Sequence, residues 1–288
     1  MDTGWIRTLL LTALAMVAFA GNTLLCRLAM GDGAIDPASF TALRLLSGAL
    51  MLALLVLARS GGLRLRPNPR ATLFLFGYAA AFSFAYLHLD TGTGALILFG
   101  VVQLTMVSSG LRAGEPFPPL ARVGLGMSLA GLLYLVSPGL TAPPLISAAL
   151  MAIAGLSWGL YSLSGRGAGD PLRATAANFI GTLPLALLLW LTFADDLHLT
   201  AQGVVLAFIS GALTSGVGYA IWFAAVRGLT ASAAASVQLS VPVLSAAGGI
   251  LWLGEPATLR LSLASVLILG GIALVLRRRA PARSASRP

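Results

Sequence analysis

Long apolar runs, separated by short polar connections, constrain this chain more than any other feature of its sequence. Only 9% of the 288 residues are charged, whereas a soluble globular protein carries about 25% charged residues. A helix needs about 20 apolar residues to cross the hydrocarbon layer, and ten runs of that order are present. We therefore predict an all-α integral membrane protein with ten transmembrane helices. The predicted spans lie at 6–29, 37–58, 71–90, 92–111, 118–137, 145–165, 172–194, 201–225, 230–252 and 258–276.

The arginines indicate which side of the membrane each connection faces. The chain has 18 arginines and no lysine, and 15 of them fall in connections or termini that are cytoplasmic if the N-terminus lies inside. Six of the nine acidic residues fall on the opposite side. Both termini are therefore expected in the cytoplasm, with the protein in the cell inner membrane. The arginines are spread over six short segments, which argues against a nucleic-acid surface.

The first run also imitates a secretory signal peptide. Arg7 precedes an apolar stretch that ends in Ala18-Phe19-Ala20, the order of features that signal peptidase recognises. Cleavage there would leave nine spans and would leave the apolar residues 23–30 without a helix. A retained first span is the favoured interpretation.

Two short sequences recur at nearly constant offsets. Gly-Glu-Pro at 114–116 is repeated at 254–256, and Asp36-Pro37 is repeated at Asp170-Pro171, each Asp-Pro pair being followed by Thr-Ala. Five predicted spans separate the equivalent points, so the second copy would be inserted upside down. The chain is therefore divided into a first five-helix repeat at 1–140 and a second at 141–288, which ends in a basic tail. Inverted repeats are typical of secondary transporters that bind substrate near the membrane midplane.

Aromatic residues recur at helical spacing in three of the spans and indicate an aromatic-lined cavity. Such rings can hold apolar solutes and attract an ammonium group. The alternative is ordinary packing between helices or an interfacial belt, and Tyr86 is the ring most typical of a belt. The rings in question are Phe74, Tyr78, Phe82, Tyr86, Trp158, Tyr161, Tyr219, Trp222 and Phe223.

Four amide side chains lie within predicted spans, where an unpaired amide is costly. They are Asn22, Gln103, Asn178 and Gln238. Hydrogen bonding between helices is the alternative to cavity lining. Gln238 is the preferred cavity residue, because Pro242 removes the N–H that its carbonyl would accept in a helix.

Charged residues offer few further candidates. Arg44 lies inside span 2, where it could meet a substrate carboxylate through two hydrogen bonds, or snorkel, or pair with Asp32 or Asp36. Arg27 is similar but nearer the surface. Glu115 and Glu255 precede prolines and are expected to cap the helices that follow them.

No acidic residue is predicted in mid-span, so a buried carboxylate proton relay is not apparent, and uniport fits at least as well as proton coupling. Two distant histidines and one cysteine are too few for a metal site. We expect no metal, no cofactor and no enzymatic activity.

Several of these segments resemble the drug/metabolite transporter superfamily, specifically its EamA-type members with five plus five spans. The resemblance covers nearly the whole chain and rests on Ala20-Gly21-Asn22, on the Pro37 to Arg44 pattern and on the Gly-Glu-Pro segments. Residues 218–222 and 242–245 are similar to YddG-type aromatic amino-acid exporters. One difference is Val102, which stands where such proteins commonly have a proline in span 4.

The resemblance implies a transporter that exports amino acids, with broad or aromatic specificity, by alternating access around a midplane cavity. The alternative is a carrier of another small metabolite or drug. Expected partners are an amino-acid substrate and membrane lipid, without nucleic acid, for a monomer or weak homodimer. The expected substrate-binding residues are Asn22, Arg44, Tyr78, Phe82, Gln103, Trp158, Tyr161, Tyr219, Trp222, Gln238 and Pro242.

Overall fold

The chain folds into a bundle of apolar helices joined by short turns. The computed structural model describes residues 3–31, 33–60, 62, 65–112, 119–137, 142–165, 169–225, 237–238 and 240–276, and within these ranges it contains helices and no strand. The helices are α1 (Thr3–Gly31), α2 (Pro37–Ser60), α3 (Pro69–Ala85), α4 (Thr91–Arg112), α5 (Pro119–Val136), α6 (Leu145–Gly165), α7 (Pro171–Thr192), α8 (Ala201–Ala225), α9 (Ser240–Leu253) and α10 (Leu259–Leu276).

Six of the described helices are long and apolar enough to cross a membrane, namely α1, α2, α4, α6, α7 and α8. The helix within the third predicted span ends earlier than expected, at Ala85, and residues 86–90 form the turn to α4. The first Gly-Glu-Pro segment, with Glu115, and the start of the ninth predicted span lie outside the described residues. The same is true of Asp32 and of the basic tail.

The repeated Asp-Pro motif forms the same local structure in both places. The Asp36 carboxylate accepts a hydrogen bond from the Ser39 N–H at 2.8 Å, and the Asp170 carboxylate accepts one from the Arg173 N–H at 3.4 Å. These bonds cap α2 and α7, and Pro37 and Pro171 occupy the first helical positions, where a proline costs nothing. The motif therefore starts a helix in each half of the chain.

Hydrogen bonds between connections show how the helices alternate in direction. At one end of the bundle, Asp36 before α2 donates its N–H to the carbonyl of His198 before α8 at 2.8 Å. At the other end, Arg59 at the end of α2 contacts Asp170 at the start of α7 at 3.5 Å. We call the end that contains Asp36 and His198 the α3–α4 end, because the turn between α3 and α4, residues 86–90, lies at the same end.

The packing of α5 against α10 is reciprocal. A Cβ on Gly131 would lie 3.0 Å from the Ile268 backbone nitrogen, and a Cβ on Gly271 would lie 2.7 Å from the Ser128 backbone nitrogen. Gly271 stands 140 positions after Gly131, and Ile268 stands 140 positions after Ser128. Each contact therefore becomes the other when the numbering is shifted by 140 positions.

Helix α8 contains a π-helical segment, Ser210–Val217, in its middle. This segment packs on α2 so closely that a Cβ on Gly211 would overlap the Arg44 carbonyl and the Ser47 hydroxyl. A π segment inside a helix widens one turn and often marks a functional site. Here it directs several hydroxyl groups toward the centre of the bundle.

Candidate functional site

A small cavity lies midway along the bundle, between α1, α3, α4, α6 and α8. Its volume is about 10 Å³, the space of about one water molecule, so a larger solute requires the helices around it to separate. The lining combines aromatic rings with a few polar groups, which is typical of small-molecule sites. The residues that line it are Phe19, Asn22, Thr23, Tyr78, Phe82, Leu98, Phe99, Trp158 and Tyr219.

Asn22 is the polar centre of this cavity. Its Nδ2 donates a hydrogen bond to the Tyr78 hydroxyl at 3.2 Å. Its Oδ1 accepts from the Ser210 hydroxyl at 2.8 Å and from the Ser215 hydroxyl at 3.3 Å, both of which belong to the π segment. The Thr214 hydroxyl lies 3.4 Å from the same oxygen. One amide therefore joins α1, α3 and α8 inside the bundle.

Trp158 is the centre of the aromatic wall. Its ring centroid lies 4.7 Å from that of Tyr219, 5.0 Å from that of Tyr78 and 5.5 Å from that of Phe19. Tilted and edge-to-face pairs at these separations stabilise aromatic clusters. The Trp158 Nε1 is buried and has no hydrogen-bond acceptor among the described residues, although buried indole N–H groups usually find one. A solute in the cavity could supply it.

Arg44 lies behind the rings, with 1% of its surface exposed. Its Nη2 donates to the Ala79 carbonyl at 2.7 Å, and its Nη1 is buried with no acceptor in the part of the chain that the structure describes. Its guanidinium carbon lies 5.2 Å from the Phe82 ring centroid and 5.7 Å from that of Tyr78. Cation–π contacts of this kind compensate part of the cost of burying the charge. No described carboxylate forms an ion pair with it.

The structure brings together five of the residues that the sequence placed in a binding site. Asn22, Tyr78, Phe82, Trp158 and Tyr219 line the cavity. Arg44 is not among the lining residues: its guanidinium lies against the Tyr78 and Phe82 rings, and its Nη2 is bonded to the Ala79 carbonyl.

The remaining predicted residues are buried but are not among the residues that line the cavity. The Trp222 ring contacts Phe19 at 5.8 Å, and the Tyr161 ring contacts Trp158 at 5.8 Å. Gln103, Gln238 and Pro242 are buried in α4 and near the start of α9. Asn178, the other amide, accepts from the Asn68 N–H at 3.1 Å and so joins α7 to the start of α3.

Tyr86 corrects one expectation from the sequence. Within the alternative to cavity lining, Tyr86 is the ring most typical of an interfacial belt, but in the structure Tyr86 is completely buried. Its ring packs edge-on against Phe82 at 4.8 Å and lies against Gly94 of α4. The absence of a side chain at Gly94 creates the space that holds it.

Glu255 corrects a second expectation. It does not cap the helix that follows, since α10 begins at Leu259. Its carboxylate instead accepts from the N–H of Thr91, the first residue of α4, at 2.8 and 2.9 Å, and from the Thr91 hydroxyl at 2.8 Å. It also accepts from Arg27 Nε at 3.1 Å, so Arg27 is paired with an acidic residue rather than extended toward water.

Asp90, in the turn between α3 and α4, is the neighbour of this pair. Its carboxylate lies 3.8 Å from Arg27 Nη2. Burial raises the pKa of Asp90 above its ordinary value and the Glu255 charge raises it further, while Arg27 acts in the opposite direction. Asp90 is therefore the weaker of the two acidic partners of Arg27.

Several residues of the site were not predicted from the sequence. Phe19 lies three positions before Asn22, about one helical turn, and this spacing could have indicated it, whereas Thr23 directly follows Asn22 in the chain. Leu98 and Phe99 carry no signal that separates them from ordinary core residues. Ser210 and Ser215 lie in a glycine-containing stretch of α8. The hydroxyl side chains of that stretch are the sequence signal that could have indicated these two residues.

The described part of the chain contains no group of three His, Cys, Asp or Glu side chains that could hold a metal ion. Its acidic side chains lie at helix ends or in turns, at Asp36, Asp90, Asp170, Asp195, Asp196 and Glu255. The cavity therefore presents rings, hydroxyls and N–H groups to a solute. Together, the apolar helices and this central cavity define a multi-pass membrane protein of the all-helical class.

Comparison with known proteins identifies the family. Residues 145–277 match the EamA-like transporter family. An uncharacterized protein of Pseudomonas aeruginosa, PA1977, is 57% identical over 274 residues, which cover 95% of this chain and 96% of the relative. The chain belongs to the same family as PA1977. Its second half carries an EamA-like transporter domain, and this match supports membership of the drug/metabolite transporter superfamily. EamA-family proteins are transporters of small solutes rather than enzymes.

A solved crystal structure shares the fold. It superposes with a TM-score of 0.68 over 94% of this chain and 99% of the other chain, at 22% sequence identity. Similarity at this level of identity concerns the arrangement of helices alone.

Proposed function

We propose that this protein exports amino acids across the cell inner membrane by alternating access around the central cavity. The observation that carries the proposal is a central, ring-lined cavity beside two buried donor groups, the Trp158 Nε1–H and the Arg44 Nη1, for which the described part of the chain supplies no acceptor. A carboxylate is the substrate group that matches such donors. The rings suit an apolar or aromatic side chain, and their faces can attract the ammonium group.

The two halves are proposed to be a five-plus-five inverted repeat with both termini in the cytoplasm. The reciprocal contacts of Gly131 and Gly271 support this arrangement, because a pseudo-two-fold axis between α5 and α10 requires each contact to occur twice. The matching Asp-Pro caps of α2 and α7 support it as well. Rocking of the halves would expose the cavity to each side in turn.

The Trp158 N–H provides a first test. We expect Trp158→Phe to retain the aromatic wall but lower amino-acid transport about tenfold or more, because one hydrogen bond to a carboxylate is worth about 1.5–3 kcal/mol. The measurement is the flux of labelled amino acids from proteoliposomes. Trp252→Phe is the matched control, since Trp252 is 75% exposed on the outside of the bundle and should change nothing. Equal flux in the wild type, Trp158→Phe and Trp252→Phe would show that the Trp158 N–H does not bind the substrate.

Arg44 provides a second test, with opposite effects on stability and on transport. Arg44→Met removes a buried charge that has no acidic partner, so the melting temperature should stay the same or rise. Transport of amino acids should fall to background, because we propose that the substrate carboxylate reaches this guanidinium when the helices around the cavity separate and the Tyr78 and Phe82 rings no longer cover it. Export of a lipophilic cation by this variant or by the wild type, in the absence of amino-acid flux, would instead favour a drug carrier of the same superfamily.

A further inference from the structure

We propose that Arg27, Thr91 and Glu255 form a latch that closes the α3–α4 end of the cavity, and that transport requires this latch to break and re-form. The role given to the latch in transport rests on the proposed function. The contacts that form the latch, and the experiment that tests it, do not depend on which substrate is carried. The latch is defined by these three residues throughout.

The latch connects three separate parts of the chain. Arg27 belongs to α1, Thr91 starts α4, and Glu255 lies in the link between α9 and α10. The Glu255 carboxylate receives the Arg27 Nε, the Thr91 N–H and the Thr91 hydroxyl at 2.8 to 3.1 Å. Arg27 and Thr91 lie in the first 140 residues and Glu255 in the second half of the chain, so any separation of the halves at this end must break these bonds.

The carboxylate is well stabilised while the latch is closed. Glu255 keeps only 8% of its side-chain surface exposed, and it faces both a guanidinium and the positive end of α4. Breaking the bonds would leave a helix N-terminus without its acceptor. The closed state is therefore held by several cooperating charge-assisted bonds, which can be exchanged for water when this end opens.

Glycine residues shape the space around the latch. A Cβ on Gly249 would overlap Glu255 Oε2 and lie 2.9 Å from the Thr91 Cβ, and a Cβ on Gly31 would lie 2.8 Å from Arg27 Nη1. Gly254, at φ +65°, turns the chain after α9, and the Glu255 N–H then donates to the Gly249 carbonyl at 3.1 Å. Gly254 and Glu255 of the Gly-Glu-Pro motif thus place the carboxylate beside Thr91, and Gly249, which has no side chain, leaves space for it.

The latch lies directly over the cavity. Thr23, a lining residue, precedes Arg27 by four positions on α1, a rise of about 6 Å. Arg27 Nη1 contacts the Tyr86 carbonyl at 3.5 Å, and the buried ring of Tyr86 packs on the lining residue Phe82. The latch and these two rings together separate the cavity from the α3–α4 end.

The native cysteine offers a direct reporter of latch opening. Cys26 is the single cysteine of the chain and is fully buried. It lies on α1 between the lining residue Thr23 and the latch residue Arg27, so opening of this end should expose its thiol to water. The rate of its reaction with a small membrane-impermeant thiol reagent therefore measures how often the latch is open.

Two variants weaken the latch by different means. Glu255→Gln removes the charge and keeps the shape, whereas Gly249→Ala retains every charged group and displaces the carboxylate. We expect both to raise the labelling rate of Cys26 about tenfold or more over the wild type. Asp196→Asn, an exposed acidic residue at the same end, and Gly126→Ala, a helical glycine with open space around it, are the matched controls and should label at the wild-type rate.

The outcomes separate the latch from the proposed function. Faster labelling in both latch variants alone supports the latch, whether or not any amino acid is transported. Labelling at the wild-type rate in both variants, with each protein eluting as a single sharp peak, overturns it even if transport is observed. Equal acceleration in latch variants and controls would show general loosening of the bundle and would also overturn it.

Discussion

Replacement of Asn22 by leucine is expected to abolish transport and to destabilise the protein by about 2–4 kcal/mol. The variant removes the acceptor of the Ser210 and Ser215 hydroxyls and the donor to Tyr78. Each buried polar group left without a partner costs about 1–3 kcal/mol, and the groups lie where water reaches them only through the cavity. The measurements are thermal unfolding in detergent and amino-acid flux in proteoliposomes.

The control for this prediction is Thr214→Val. The Thr214 hydroxyl contacts the same Asn22 oxygen at 3.4 Å but also donates to the Ser210 carbonyl at 2.8 Å, within its own helix. Its removal should leave most of the transport activity. If Asn22→Leu retained wild-type flux and melting temperature, Asn22 would not be the polar centre of a functional cavity.

Replacement of Gly211 by alanine is expected to destabilise the protein by about 3 kcal/mol. The added methyl group would meet the Arg44 carbonyl and the Ser47 hydroxyl, and a backbone carbonyl cannot move aside as a flexible side chain can. Overpacking usually costs about 1–3 kcal/mol. Here the overlap of the new methyl group with α2 can be removed only if α2 and the π segment move apart. Thermal unfolding should show a lower melting temperature, and flux should fall with it because the Ser210 hydroxyl would be displaced from Asn22.

Gly126→Ala is the matched control for the same measurement. Gly126 lies in α5, and apart from its chain neighbours and the nearby backbone of α5, no atom of the described residues lies within 4 Å of the position a Cβ would take. Alanine there should be neutral or stabilising by up to about 1 kcal/mol, since alanine is the better helix former. Equal melting temperatures for Gly211→Ala and Gly126→Ala would contradict the close crossing of α2 and the π segment.

The helices could be predicted from the sequence because each depends on its own residues. Apolar runs long enough to span a membrane exist only as helices there, and Asp36-Pro37 and Asp170-Pro171 start α2 and α7 with bonds that reach three residues along the chain. The end of α3 was placed too late, since residues 86–90 are apolar enough to continue a span. The turn there depends on the contacts of Tyr86 and Asp90 with distant helices.

The site was predicted where residue chemistry alone was informative. An asparagine in hydrocarbon and aromatic rings at helical spacing were good indications, and Asn22, Tyr78 and Trp158 do meet. The role of Glu255 could not be inferred, because the helix that it caps begins 164 positions earlier in the chain. The π segment was also unexpected, since the widened turn is stabilised by tertiary contacts of Ser210 and Gly211 rather than by local preference.

The most direct test of a carrier with one central cavity is flux of labelled amino acids from proteoliposomes that contain the purified wild-type protein. We expect saturable movement of amino acids down their gradient, faster than in protein-free liposomes, in the absence of a pH gradient. A complete lack of flux for every amino acid, with a protein that unfolds cooperatively and is therefore folded, would contradict amino-acid export.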